Sequence, residues 1–234
     1  MGEGEYSMTY DEWITAVFDH RVTEPAWYFK HRNEAPVELW RLDKHPEAAV
    51  QLITRTFQEI GKLPQRFSDG QIADGLNFIV NSSCSNLGFV IFDIDNEVSK
   101  STRLKCIEAI YTVYKDLFAV RCSPHLGHTL FKSDASVNPL NMICYMWWDV
   151  APVYARPEQP RHAEFDKAIL AVMGKTLTIN SEPCREGALH GLVHWASAYP
   201  EEVTALIDHN LGEKIRISPA LKSYARYAKR GSVQ

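Results

Sequence analysis

His190 and His194 are the residues of this sequence whose type and spacing best suit metal chemistry. They lie four positions apart in the segment SEPCREGALHGLVHWASAYP, which has the pattern of a helix. Residues at i and i+4 leave the same face of a helix, so both imidazoles could bind one metal ion. The spacing is that of the zinc-hydrolase pattern HExxH, but Gly191 stands where that pattern has glutamate. The general base of that mechanism is therefore missing.

Two other segments contain residue types that bind metals. Cys122, His125 and His128 form the run CSPHLGH, in which the ligands are closer together than in most zinc sites. We expect a folded loop with exposed histidines there. The acidic segment DIDNE at residues 93–97 lacks the glycine and the downstream glutamate of an EF-hand loop. We interpret it as an acidic turn that caps the next helix.

No other catalytic motif is recognisable. The sequence has no GxSxG, no GxxxxGK[ST] or GxGxxG loop, and no cysteine in a protease-like context. We therefore predict no catalytic residue and no cofactor, and an enzyme is the less favoured class. Among the aromatic residues, Trp147 has the spacing of a core position. Trp27 and Tyr28 have no buried stripe nearby and are predicted to be an exposed pair that contacts a partner.

The charge of the chain is distributed unevenly. The 234 residues carry a net charge of -4, which implies no general affinity for nucleic acid. Residues 213–234, however, contain six basic residues and one acid, a net charge of about +5, which leaves about -9 on the remainder. Arg226, Lys229 and Arg230 are therefore candidates for contact with an acidic partner. The alternative is a solvated helix whose cations lie at its C-terminal end.

Cysteine usage and hydropathy bear on location. The five cysteines are dispersed and form no CxxC pair, which favours a reducing compartment over a disulfide framework. The N-terminal segment has no secretory signal pattern, and no apolar run approaches the roughly 18 residues that span a bilayer. We predict a cytoplasmic protein with no membrane contact.

Nearly every long segment has helical spacing, and the sequence predicts an all-α fold. The one candidate for a strand is the short segment IFDID at residues 91–95, which has no partner strand. Helices are predicted from Thr9 to His20, after Pro25, from Pro46 to Gly61, after the capping box at Ser68, from Glu97 to Val120, after Asn138-Pro139, from His162 to Thr178, from Ser181 to Tyr199-Pro200, from there to Gly212, and from Ser218.

A weak internal repeat relates two of these helices. The segment SDGQIADGLNFIVN at residues 68–81 aligns without gaps with SEPCREGALHGLVH at residues 181–194. In this alignment Asn77 and Asn81 occupy the positions of His190 and His194. A polar pair at one position of two hairpins is typical of side chains that bond to neighbouring backbone or helix ends. We therefore favour a structural role for the two histidines over metal binding.

The hairpin from Ser181 to Gly212 resembles the unit of HEAT and armadillo helical repeats, with weaker support over Pro46–Ser83 and Glu97–Val120. The proline and aspartate positions of the HEAT consensus are not regularly present. No long low-complexity linker divides the chain, so we predict one all-α domain over residues 1–234. The resemblance implies that it is built of stacked antiparallel helical hairpins in a right-handed superhelix. It also implies a non-enzymatic binding scaffold with no particular partner.

Three functions follow as expectations. We favour a non-catalytic bacterial scaffold that binds a protein partner, such as an adaptor or immunity-type protein. The first alternative is a metal-binding protein or hydrolase that uses His190 and His194, with His125, His128 or an acid as further ligands. The second is nucleic-acid binding through the basic C-terminal helix, which the overall charge disfavours.

Overall fold

The computed structural model describes residues 8–30, 32–129, 137–212 and 215–232, and the regular secondary structure of these residues is helical. No strand occurs among these residues, so the all-α prediction is confirmed. The α-helices are α1 (Tyr10–Phe18), α2 (Trp27–Lys30), α3 (Val37–Trp40), α4 (Pro46–Gln58), α5 (Asp69–Val80), α6 (Leu87–Phe92), α7 (Lys100–Val113), α8 (Ala119–Arg121), α9 (Leu140–Val150), α10 (Ala163–Leu177), α11 (Glu182–Trp195), α12 (Pro200–Asn210) and α13 (Pro219–Ala228).

Capping side chains set the start of α1 and of α5. The Thr9 hydroxyl accepts a hydrogen bond from the backbone N–H of Glu12, and the Glu12 carboxylate accepts one from the backbone N–H of Thr9. Ser68 and Gln71 form the same reciprocal pair at α5. Each pair satisfies two backbone donors that the first turn leaves unpaired. The helix starts predicted from these residues are confirmed.

Helix α11 begins differently from its predicted cap. Ser181 occupies the N-cap position, but its side chain makes no capping hydrogen bond. The Glu182 carboxylate in the first turn instead accepts a hydrogen bond from the backbone N–H of Ser218, at 2.5 Å. Ser218 in turn caps α13 through its hydroxyl, which accepts from the backbone N–H of Leu221. The acid of α11 therefore ties the start of α13 to the start of α11.

The segment IFDID is not a strand. Ile91 and Phe92 complete α6, and the next helix begins much later, at Lys100. The Ser99 hydroxyl caps this helix by accepting from the backbone N–H of Thr102, so the acidic turn does not provide the cap that we predicted. Asp95, within that turn, forms an ion pair with Arg161.

The predicted long helix from Glu97 to Val120 corresponds to α7, a π turn at Tyr114–Phe118, and α8. Both of its apolar faces are buried, as expected, with side chains such as Ile110 and Leu117 inaccessible to solvent. It packs against α4 on one side and α10 on the other. The π turn brings the Tyr114 ring against Trp147, which is fully buried in α9 as predicted.

Helix α11 lies at the centre of the fold. Every one of its residues except Glu182 and His194 is buried. It packs most extensively against α9, and also against α10 and α13, whereas its contact with α12, the other helix of the hairpin, is smaller. One contiguous cluster of buried apolar side chains includes residues from α1 through α13. None of the described helices is long and apolar enough to cross a membrane, and all five cysteines are free.

Asp74 of α5 is a half-buried carboxyl group whose burial, with a smaller effect of the negative charge on Glu24, raises its pKa to about 6. The ordinary value is about 4, so the stability that its protonated form contributes is present below pH 4 and lost as the pH rises through 6. We expect Asp74→Asn to raise the free energy of unfolding by about 1 kcal/mol at pH 7.5, after allowance for solvent screening, and to change little at pH 4. Urea unfolding at both pH values measures this, and equal stability of the two proteins at pH 7.5 would contradict it.

Candidate metal centre

A row of polar side chains follows one face of the central helix. Glu186, His190 and His194 are spaced four residues apart along α11, so all three leave the same face. Helix α9 contributes Tyr145 and Asp149 opposite them, and α13 contributes Tyr224. Most of this row lies between packed helices, where each polar atom needs a partner.

Three side chains at the outer end of the row form a group with the composition of a metal site. Asp149, His190 and His194 each offer one ligand atom, and these atoms all lie within 4.8 Å of one another. The His194 Nε2 and Asp149 Oδ1 atoms are 3.3 Å apart. Tetrahedral zinc with bonds of about 2.0 Å separates its ligands by roughly the same distance. The Asp149 and His194 side chains are 40% and 42% exposed, so this end of the group opens to solvent.

His190 forms the inner side of the group and is only 6% exposed. Its Nδ1 atom is 2.7 Å from the Tyr224 hydroxyl oxygen. Its Nε2 atom is buried and has no hydrogen-bond partner among the described residues. A buried ring nitrogen without a partner costs about 1–3 kcal/mol, so such an atom calls for an explanation. A metal ion shared with His194 and Asp149 would give that nitrogen a bond.

The protonation state of His190 suits coordination. Burial, with a smaller lowering effect of the neighbouring His194 and a smaller raising effect of Asp149, brings its pKa to about 4. The ring is therefore neutral at pH 7 and carries one proton. With that proton on Nδ1, the ring donates to the Tyr224 oxygen and presents its lone pair on Nε2. Metal-binding histidines are commonly oriented by such a hydrogen bond from the second ring nitrogen.

Two tyrosines lie against His190. The Tyr145 ring lies 4.4 Å from the His190 ring, measured between centroids. The Tyr145 and Tyr224 hydroxyl oxygens are 3.3 Å apart. Burial raises the pKa of both phenols above the ordinary value of 10, so both hydroxyls are protonated at neutral pH. Each can therefore donate one hydrogen bond.

His128 is not the exposed histidine that we predicted. Its ring Nδ1 lies 2.5 Å from Glu186 Oε1, and its side chain is only 11% exposed. The same buried carboxylate also accepts hydrogen bonds from the backbone N–H groups of Gly127 and His128. His125 is exposed, as expected. The histidines of this loop do not join Cys122 in a metal site: among the described residues, Asp149, His190 and His194 are the one group of three such ligands brought together.

The partner-binding candidates Trp27 and Tyr28 are buried, which corrects their prediction as an exposed pair. They are 2% and 8% exposed, and their rings pack against Phe78 of α5, with Trp40 beside Trp27. Aromatic rings from distant segments bury one another, a contact that local spacing does not reveal. Phe29, next in sequence, is the exposed ring of this segment.

The basic candidates on and after α13 are accessible to different degrees. Arg226 and Arg230 are exposed and border one shallow pocket with Tyr227. Lys229 is partly buried and forms an ion pair with Asp208 of α12. That pairing attaches the end of the chain to the hairpin and leaves the two arginines as the freer cations of the set.

The repeat alignment predicts bonds to the backbone at both pairs of positions, and the structure shows them for the asparagines; the structural role that we favoured for the histidines stays a prediction. The Asn77 side chain donates to the backbone carbonyl of Ala73, and the Asn81 side chain accepts from the backbone N–H of Ser83. These are the backbone bonds that we expected. His190 and His194 instead face the side chains of Tyr224 and Asp149. The equivalent positions therefore have different roles in the two helices.

Asp149 and Tyr224 are the members of the site that sequence reasoning missed. Both belong to other helices and become neighbours of the histidines only through packing. One signal was present, since Glu186 precedes His190 by four residues and extends the histidine spacing to a three-residue polar row, while every other residue from 187 to 195 is apolar. Such a row at the centre of a fold indicates a buried polar site.

Comparisons of this chain with protein-family models, with curated proteins and with solved structures find no match. The HEAT/armadillo-like superhelix and the protein partner stay predictions. The function has to be inferred from the geometry and chemistry of the site itself.

Proposed function

We propose that this protein binds one divalent transition-metal ion through Asp149, His190 and His194. The observation that carries the proposal is the buried Nε2 atom of His190, which has no hydrogen-bond partner in the described structure, on a residue that forms one group with His194 and Asp149. The hydrogen bond between His190 Nδ1 and Tyr224 fixes the ring so that Nε2 is the nitrogen left for the metal.

The ligand types favour one class of ion. Two imidazoles and one carboxylate suit Zn²⁺, Fe²⁺, Co²⁺ or Ni²⁺, whereas Ca²⁺ and Mg²⁺ prefer sites made of oxygen atoms. Structural zinc sites use four protein ligands, and catalytic sites use three and leave one position for water or substrate. With three ligands and a solvent-exposed outer side, this site belongs to the open kind. Gly191 supplies no general base, so the proposal is metal binding and not the HExxH mechanism.

Metal content measured on protein purified without an affinity tag tests the proposal. We expect about one equivalent of bound Zn²⁺ after loading and dialysis. His194→Ala removes an exposed ligand atom, and Asp149→Asn removes the negative charge of another. Both changes should leave the fold intact while weakening Zn²⁺ binding by at least about 100-fold, more than the loss of an outer hydrogen-bond partner. His209→Ala, a change of an exposed histidine on α12, is the matched control and should bind as the wild type does. Wild-type protein that takes up no metal, or ligand variants that bind normally, would exclude the site.

Protein binding by a helical-repeat scaffold is a second candidate, and one observation favours it. A groove of about 740 Å³ lies between α10 and α12, and its floor is apolar, with Leu170, Ala171 and Leu206 among the lining residues. We propose that an apolar segment of another protein occupies this groove. The test is a pull-down from the native host with the wild type, with Leu206→Asp in the groove, and with Tyr154→Asp as an exposed control outside it. A partner that the wild type and Tyr154→Asp retain, and that Leu206→Asp loses, would support this function. Equal recovery of the partner by both variants would contradict it.

A further inference from the structure

We infer that the open position of the metal site binds an oxyanion, the carboxylate or phosphate group of a ligand, and that the Tyr145 hydroxyl donates a hydrogen bond to one of its oxygens. This inference rests on the proposed metal site and adds the chemical class of what that site recognises. It follows from the direction of the hydrogen bonds, from the position of Tyr145 and from the charge of the site.

The direction of the hydrogen bonds is set by the metal. When His190 Nε2 bonds to a metal ion, its proton lies on Nδ1, and the ring must donate to the Tyr224 oxygen 2.7 Å away. Tyr224 therefore directs its own proton elsewhere, and the Tyr145 oxygen at 3.3 Å is its described partner. Tyr145 accepts that bond, so its proton is left for a third group. When the metal is bound, the Tyr145 hydroxyl is therefore a hydrogen-bond donor for which the described residues show no acceptor.

Tyr145 lies beside two of the proposed metal ligands, His190 and Asp149. It precedes Asp149 by four residues on α9, so both side chains leave the same face of that helix. Its ring lies 4.4 Å from that of His190, measured between centroids. One ligand oxygen could therefore occupy the open position of the metal while another oxygen of the same group accepts from Tyr145. A carboxylate or a phosphate has two or more oxygens in this arrangement.

The charge of the loaded site favours an anion. A divalent ion with one carboxylate and two neutral imidazoles carries a net charge of about +1. The one other acid of the polar row, Glu186, is already satisfied by His128 and by two backbone N–H groups. An anion would neutralise the remaining charge, and the exposed side formed by Asp149 and His194 gives it a path from solvent.

The inference is tested by titrating the Co²⁺-loaded protein with inorganic phosphate and, separately, with acetate. The visible absorption of the bound cobalt reports whether each anion binds. We expect at least one of the two anions to change the spectrum and Tyr145→Phe to weaken its binding about 10-fold, as the loss of one hydrogen bond to an anion would. The affinity for Co²⁺ itself should stay within about twofold of the wild type. Tyr154→Phe, a change of an exposed tyrosine, is the control and should leave the binding of both anions unchanged.

A second variant separates this inference from the metal site on which it rests. Tyr224→Phe removes the acceptor of His190 Nδ1, so it should weaken Co²⁺ binding about 10-fold, an effect that Tyr145→Phe should not have. Protein that binds no Co²⁺ would overturn the proposed function and the inference together. Protein that binds Co²⁺ but neither anion, or that binds them equally well with Tyr145→Phe, would overturn the inference alone.

Discussion

Replacing Gly187 with alanine is expected to lower the free energy of unfolding by about 3 kcal/mol, because it forces two central helices apart. An added Cβ at this position would lie 2.3 Å from the backbone carbonyl oxygen of Cys144 and 3.3 Å from the Tyr114 ring. A carbonyl oxygen inside α9 cannot rotate away as a side chain can, so α9 and α11 would have to separate. These helices carry all three proposed metal ligands.

Urea unfolding of Gly187→Ala measures the loss of stability, and metal titration of the folded fraction measures its effect on the site. We expect weaker Zn²⁺ binding together with lower stability, since Asp149 moves with α9 while His190 and His194 move with α11. Gly61→Ala is the matched control, because the nearest atoms to its added Cβ, on Asp116, are 3.6 Å away, which is ordinary contact. Stability of Gly187→Ala equal to that of the control would show that the helices can separate without cost.

Helix ends were predictable from the sequence because the interactions that form them are local. The capping pairs at Thr9 and Ser68 join residues three positions apart, and Pro46 occupies the first turn of α4 as its fixed backbone angle favours. Buried stripes such as that of Trp147 were predictable for the same reason, since the helical period places their members on one face.

Burial that depends on distant segments was not predictable in this way. The aromatic run from Trp27 to Phe29 is followed by polar residues and has no local apolar stripe, yet Trp27 is buried because Phe78 of α5 packs against its ring. His128 belongs to a segment whose sequence predicts an exposed loop, yet its ring bonds to the Glu186 carboxylate of the central helix. In both cases the contacting residue lies about 50 residues or more away along the chain, so the local sequence pattern does not indicate the contact.

In the candidate site, too, the local features were predictable and the contacts between distant segments were not. The spacing of His190 and His194 predicted a shared helix face, which supplies two of the three ligands of the proposed metal site. It could not reveal whether a third ligand faces that pair, and the alignment with Asn77 and Asn81 argued for backbone bonds instead. Only the packing of α9 against α11 brings Asp149 to His194. The sequence therefore indicated that imidazole ligands share one helix face, but not that a carboxylate from another helix lies beside them.

Removal of the Glu186 carboxylate is expected to be as destabilising as the change at Gly187. This side chain is fully buried and accepts three hydrogen bonds, from the backbone N–H groups of Gly127 and His128 and from the His128 ring. Glu186→Ala leaves all three donors without an acceptor, and breaking a buried charged network from one side costs about 3–5 kcal/mol. Glu186→Gln keeps one acceptor oxygen and should lose about half as much. Urea unfolding measures both, with the exposed Glu108→Ala on α7 as the control.

The Glu186 variants also test where the polar row of α11 divides into a structural part and a functional part. Glu186 holds the loop at residues 127–129, whereas the two proposed histidine ligands, His190 and His194, lie one and two turns farther along the helix. If that division is correct, folded Glu186→Gln should bind Zn²⁺ nearly as tightly as the wild type, while His194→Ala should bind it poorly at nearly unchanged stability. A loss of Zn²⁺ affinity in Glu186→Gln as large as that in His194→Ala would mean that the carboxylate and the metal centre act as one unit. Stability of Glu186→Ala within about 1 kcal/mol of the wild type would instead show that water replaces the carboxylate.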